Sequence, residues 1–146
     1  MKILMINGPN LNMLGKRDAA HYGADTLADV EARVRERAME LGVKVEFFQS
    51  NHEGAIVDHL QAVADSVDGV IINAGALTHY GLSLKDALAD SKLPVAEVHI
   101  SNIHAREEYR HHSVVAPIAV GQIAGFGWRG YLYALDFLAA HIQGLC

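Results

Sequence analysis

Two polar pairs in this sequence have the residue types for proton transfer. Arg17 and Tyr22 stand five positions apart, between Gly15 and Gly23, at the end of a segment "INGPNLNMLGKRD" that abandons regular structure. A guanidinium beside a phenol favours the phenolate, and a phenolate can serve as a general base. His99 closes an apolar run, with Glu97 two residues earlier on the same face of a strand. A carboxylate there orients the imidazole and keeps it protonated, which suits an acid. Each residue also has a plain structural explanation. Tyr22 can pack a loop beside a solvated Arg17, and His99 can be a neutral core-edge histidine. His79 can simply lead into the helix that begins near Leu82, and Arg110 is either a surface cation or a clamp for a substrate carboxylate.

The elements that must position these groups follow from the apolar pattern. Lys2 to Asn7 is continuously apolar, as in a strand buried on both faces. Thr26 to Leu41 carries Leu27, Val30, Val34, Ala38 and Leu41 on one stripe, with Thr26 and Asp29 as a capping pair and Gly42 as the stop. Val43 to Gln49 predicts a second strand, and Ile56, Leu60, Val63 and Val67 a second helical stripe. Gly69 to Asn73 and Pro94 to Ile100 predict further strands around a helix over Leu82 to Ser91. Pro117 to Ile123 predicts a fifth strand, and Trp128 to His141 a closing helix.

Short apolar strands alternating with amphipathic helices imply a parallel sheet covered on both faces. The expected fold is α/β, a flavodoxin-like, doubly wound, five-stranded domain spanning residues 1–146. In such sheets the ligand crevice lies beyond the carboxyl ends of the strands. Those ends deliver Asn7, Asn10, the Arg17–Tyr22 segment, Asn73, His79, His99, Ser101, Asn102 and Arg110. Together they describe an anion pocket with proton-transfer groups at one edge of the sheet.

Competing motifs fail on spacing. "GFGWRG" (Gly125 to Gly130) matches a dinucleotide-binding pattern, but no strand and ribose-binding acid follow it. "GPNLNMLGKR" resembles a phosphate-binding loop, but its glycines are too far apart and Arg17 stands where a magnesium-binding hydroxyl belongs. The nine histidines include no H-E-x-x-H or H-x-H spacing, and the single cysteine is Cys146, so no metal site is expected. At 146 residues the chain has the size of one domain, able to bury about 68–70% of its unfolded surface. A net charge of −5 gives no footprint for nucleic acid or an anionic membrane. No apolar run approaches the roughly 20 residues of a membrane span. With a strand starting at Lys2 and no leader, the expectation is a cytoplasmic chain.

"INGPNLNMLGKRD…YG", "FFQSNHEG", "INAGALTHYGLSLKDAL", "EVHISNIHAREEYRHHS" and "GFGWRGYLYALDFL" resemble the type II 3-dehydroquinate dehydratases over essentially the whole chain. The resemblance implies dehydration of 3-dehydroquinate to 3-dehydroshikimate by anti elimination through an enolate, with no cofactor, metal or Schiff base. The same reaction serves the shikimate pathway and quinate breakdown. It implies a homo-oligomer, a dodecamer assembled from trimers. By position, Tyr22 is the implied base, with Arg17 stabilising its phenolate, and His99 the implied acid, oriented by Glu97. Asn10 helps hold the enolate through an ordered water. Asn73, His79, Ile100, Ser101 and Arg110 match substrate-binding positions, Asp86 reaches the site across a subunit contact, and Arg106 braces a mobile loop.

Two departures stand out. Tyr80-Gly81 replaces the family's usual Thr-Ser, which removes a hydroxyl suited to capping the next helix and places an aromatic near the pocket. Asp18-Ala19-Ala20 replaces Glu-Pro-x beside the catalytic segment, an exchange expected to loosen the lid. The first departure motivates an alternative, a non-catalytic or repurposed flavodoxin-like module that binds a small polyhydroxy carboxylate. A metal-dependent hydrolase built on the histidines is a weaker third.

Overall fold

A computed structural model describes residues 1–146. Five parallel strands form one sheet: β1 (Lys2–Asn7), β2 (Lys44–Gln49), β3 (Gly69–Asn73), β4 (Val95–His99) and β5 (Gly121–Ala124), in the order β2-β1-β3-β4-β5. The helices are α1 (Ala19–Tyr22), α2 (Leu27–Leu41), α3 (Glu53–Val63), α4 (Leu82–Asp90) and α5 (Arg129–Ile142). This is the flavodoxin-like, doubly wound arrangement expected from the alternation of elements.

β1 shows why its apolar run is continuous. Ile3 and Met5 join a core with α2 and α5 that includes Val30, Val34, Tyr131 and Leu135. Leu4 and Ile6 join the opposite core with α3 and α4, including Ile56, Leu60, Leu84 and Leu88. Successive side chains of a strand point to opposite faces, so a two-sided core requires apolar residues at every position.

The capping expected for α2 is present. Asp29 N–H donates to Thr26 Oγ1 at 3.1 Å, Thr26 N–H donates to Asp29 Oδ2 at 2.9 Å, and Gly42 takes the left-handed conformation at φ 69°.

Three segments differ from expectation. The fifth strand begins four residues later than the sequence suggests, because Ala116–Ile118 forms a 3₁₀ turn containing Pro117. Proline fixes φ and offers no N–H to a sheet. α3 stops at Val63, so Val67 is not on its stripe; it lies beyond a 3₁₀ turn in an extended conformation and still packs into the α3–α4 core. Finally, Asp18-Ala19-Ala20, in a segment expected to be an irregular loop, opens the helical turn α1. Asp18 Oδ1 accepts from Ala20 N–H at 3.0 Å, and its Oδ2 meets His21 Nδ1 at 2.8 Å.

Candidate active site

Beyond the carboxyl ends of β1, β3 and β4 lies a tight cleft of about 50 Å³. Asn10, Arg17, Tyr22, Asn73, His79, His99, Ile100, Ser101 and Arg106 all line it. Its floor depends on a close approach of two loops. Gly8 packs so tightly on the Ala74 carbonyl that a Cβ there would lie 2.4 Å from its oxygen. Gly8 N–H also donates to Asn73 O at 2.8 Å. The next turn puts Asn10 in the left-handed region at φ 69°, a conformation asparagine tolerates better than most residues. Asn10 N–H is anchored on Asn51 Oδ1 at 3.0 Å, which ties the loop to the segment after β2.

Tyr22 stands at the end of α1 with two cations on its hydroxyl. Arg17 Nη2 donates to Tyr22 Oη at 3.0 Å, and Arg106 Nη1 donates to the same oxygen at 2.9 Å. The Arg17 guanidinium also lies over the Tyr22 ring, 3.8 Å from its centroid. Arg106 bridges onward to Ser101 Oγ at 3.2 Å, so it joins the α1 turn to the end of β4. The hydroxyl oxygen thus accepts two charge-assisted hydrogen bonds, one from each guanidinium.

The acid candidates are buried. His99 is 5% exposed and Glu97 fully enclosed. His99 Nε2 lies 3.5 Å from Glu97 Oε2, an ion-pair distance, and has no other partner. Nδ1 is therefore the ring nitrogen left for the cleft. Glu97 Oε1 accepts from Thr78 Oγ1 and Ser113 Oγ, both at 2.5 Å, and Oε2 accepts from the Gln122 amide. Burial would raise the Glu97 carboxyl, but donors from His99, Ser113 and Thr78 outweigh it and hold the group below its ordinary value. His79 moves the opposite way from a paired histidine. Burial lowers its pKa, only partly opposed by the His112 carbonyl 2.7 Å from Nδ1.

Residues 1–139 match the family model for class II dehydroquinase. The chain belongs to the class II dehydroquinases. It is 58% identical over 137 residues to the 3-dehydroquinate dehydratase of Herpetosiphon aurantiacus, covering 94% of this chain and 95% of that one. The Roseiflexus castenholzii 3-dehydroquinate dehydratase is 59% identical over 138 residues, with 94% and 88% covered. A crystal structure of type II dehydroquinase from Butyrivibrio crossotus superimposes with TM-score 0.92 at 48% identity, covering 94% of this chain and 97% of that one.

Within this dehydroquinase fold, some expected site residues lie outside the cleft of their own chain. Asp86 is exposed on α4, and Glu97 stands behind His99. Arg110 is turned onto Glu107, Nε to Oε2 at 2.6 Å, and the hydrogen bond from Glu107's own backbone N–H, with this pair second, holds the Glu107 carboxyl down at about 2. Asn73 lines the cleft, but its amide is already engaged: Nδ2 donates to Tyr131 Oη at 2.8 Å, and Oδ1 accepts from Gly75 N–H at 3.1 Å. Tyr131 Oη in turn donates to Asn7 Oδ1 at 2.7 Å, so Asn7 belongs to the floor beneath the cleft.

The two departures resolve structurally. Tyr80 is 65% exposed and does not line the cleft, which removes the observation behind a binding-only module. The missing serine hydroxyl is replaced from another helix, because Glu53 Oε2 accepts from Leu84 N–H at 3.0 Å in the first turn of α4. A Cβ at Gly81 would lie 2.9 Å from that same oxygen.

Sequence reasoning missed Thr78, Ser113 and Gln122 around Glu97, Tyr131 beneath the asparagines, and the second arginine on Tyr22. Only Tyr131 left a signal, a phenol on the inner stripe of α5 that needs a buried partner.

Proposed function

We propose that the chain dehydrates 3-dehydroquinate to 3-dehydroshikimate by anti elimination through an enolate. The observation that carries this reading is Tyr22 Oη under two guanidinium groups in the cleft that also holds His99. Tyr22, as phenolate, removes a proton from C2, and the electron pair moves onto the C3 carbonyl oxygen as an enolate. Collapse of the enolate forms the C1–C2 double bond and expels the C1 hydroxyl, which leaves as water with a proton from His99. Tyr22 keeps the C2 proton until it returns to solvent.

Arg17 and Arg106 stabilise the phenolate, and Glu97 orients His99. Asn10 holds the enolate through an ordered water, where a preorganised donor meets developing charge. Asn73, His79, the Ile100 backbone and Ser101 bind the substrate ring, and Arg110 joins them on leaving Glu107. The route needs neither metal nor Schiff base.

Access involves the α1 turn. A larger hollow of about 430 Å³ shares Tyr22, Ile100, Ser101 and Arg106 with the cleft, so movement of Tyr22 merges the two spaces. Closure then excludes water from the reaction. Asp86, exposed on α4, completes the site from a neighbouring subunit in a dodecamer assembled from trimers. No helix is long and apolar enough to cross a membrane, which is compatible with a cytoplasmic enzyme.

Mixing the protein with 3-dehydroquinate and following ultraviolet absorbance tests the reading, because the product is a conjugated enone. A steady rise is expected. A folded protein that produces none, yet is stabilised against heat by a polyhydroxy carboxylate, is a binding module instead.

A further inference from the structure

The buried carboxylate of Glu97 is held more elaborately than an orienting group for one histidine requires. Three side chains from three separate segments donate to it: Thr78 from the loop after β3, Ser113 from the segment after Arg110, and Gln122 from β5. The donor directions follow from bookkeeping of protons. Ser113 Oγ already accepts from Val115 N–H at 3.1 Å and Ala116 N–H at 2.9 Å, so its own proton goes to Glu97. The amide nitrogen of Gln122 can only donate.

The three donors do not act alike. Thr78 and Ser113 both hold Oε1, which makes that oxygen a pivot about which the carboxylate can swing. Gln122 is the one donor besides His99 on Oε2, the oxygen that faces His99 Nε2 at 3.5 Å. Parallel pairing sets this up, since Glu97 and Gln122 are register partners on adjacent strands with side chains on one face. Gln122 does not line the cleft and lies at the exposed edge of the sheet. It has no route to a substrate except through Glu97.

We infer that Gln122 is a positioning residue, a latch that keeps Glu97 Oε2 directed at His99 so that the imidazole presents Nδ1 to the cleft. This rests on the dehydratase reading above. Without the latch, Oε2 swings about the Thr78–Ser113 pivot and His99 loses its fixed orientation. The binding residues are untouched, so the loss falls on turnover rather than on substrate affinity.

The test measures kcat and KM on 3-dehydroquinate for the wild type, Gln122→Met, Glu97→Gln and the double variant. Methionine keeps length and volume and removes the donor, and an exposed edge position tolerates it without loss of folding. Gln122→Met is expected to lower kcat about tenfold, with KM within about twofold, the scale of one hydrogen bond to a charged group. In the Glu97→Gln background the same substitution should have no further effect, the signature of a residue acting through Glu97. Full kcat in Gln122→Met, or losses that multiply in the double variant, overturns the inference while the dehydratase reading stands. Absence of turnover in the wild type overturns both.

Discussion

Tyr22 and His99 line one cleft, yet they are held there by different means. Tyr22 sits on a four-residue helical turn, and its hydroxyl is fixed by the side chains of Arg17 and Arg106. Nothing in that arrangement is deeply enclosed. His99 ends a strand inside the sheet, 5% exposed, and its carboxylate partner is fully enclosed among three donors. One arm is cationic and partly exposed; the other is anionic and buried. Under the proposed elimination, the exposed arm carries the base and the buried arm the acid.

The comparison can be broken most directly at its cationic arm. Tyr22→Phe is expected to lower kcat about a thousandfold, since it removes a general base. Its thermal midpoint should stay near that of the wild type, because the phenol oxygen holds no core contact. Retained turnover in the enone assay would move the base elsewhere. Arg17→Ala and Arg106→Ala should each cost about a hundredfold in kcat, the scale for losing one preorganised donor to a developing anion. If only Arg17→Ala is impaired, Arg106 serves the loop and not the phenol.

The buried arm should respond in stability as well as activity. Glu97→Ala leaves Thr78, Ser113 and Gln122 without their shared acceptor, and urea denaturation should show a loss of about 3 kcal/mol. A variant as stable as the wild type would mean that the cradle relaxes freely. The smallest effect concerns pH. The Glu97 carboxyl titrates below its ordinary 4.5, its donors outweighing the burial that would raise it. The unfolded chain therefore takes up this proton first as pH falls. The associated stability is fully present above about pH 4.5 and is lost as pH drops through the lower folded value. Denaturation at pH 7 and pH 3.5 should show a smaller acid loss for Glu97→Gln than for the wild type.

Much of this was legible in the chain. The continuous apolar run Lys2–Asn7 specified a strand covered on both faces, and Thr26, Asp29 and Gly42 marked the limits of α2 through local hydrogen bonding. The Arg17–Tyr22 spacing was legible for the same reason: residues five apart, one just before a single helical turn and one at its end, must remain neighbours whatever the rest of the chain does. The fifth strand was misplaced because Pro117 interrupts an apolar run that otherwise has strand composition. Val67 shared a helical period with Ile56 and Leu60 but reached the same core from an extended segment, since burial does not require the helix to continue.

What the sequence by itself determined was whatever local geometry controls: the order of strands and helices, the caps, and the proton-transfer types gathered at the strand ends. What only the tertiary structure decided were contacts between distant segments. Arg106 reaches Tyr22 across 84 residues, Thr78 and Ser113 converge on Glu97 from separate loops, Gln122 becomes its neighbour through register, and Glu53 caps a helix that is not its own. Periodicity along the chain carries no information about which strand lies beside which, or how far one is shifted along the other. Those choices are made when the two apolar faces close, and the inner half of this site is made with them.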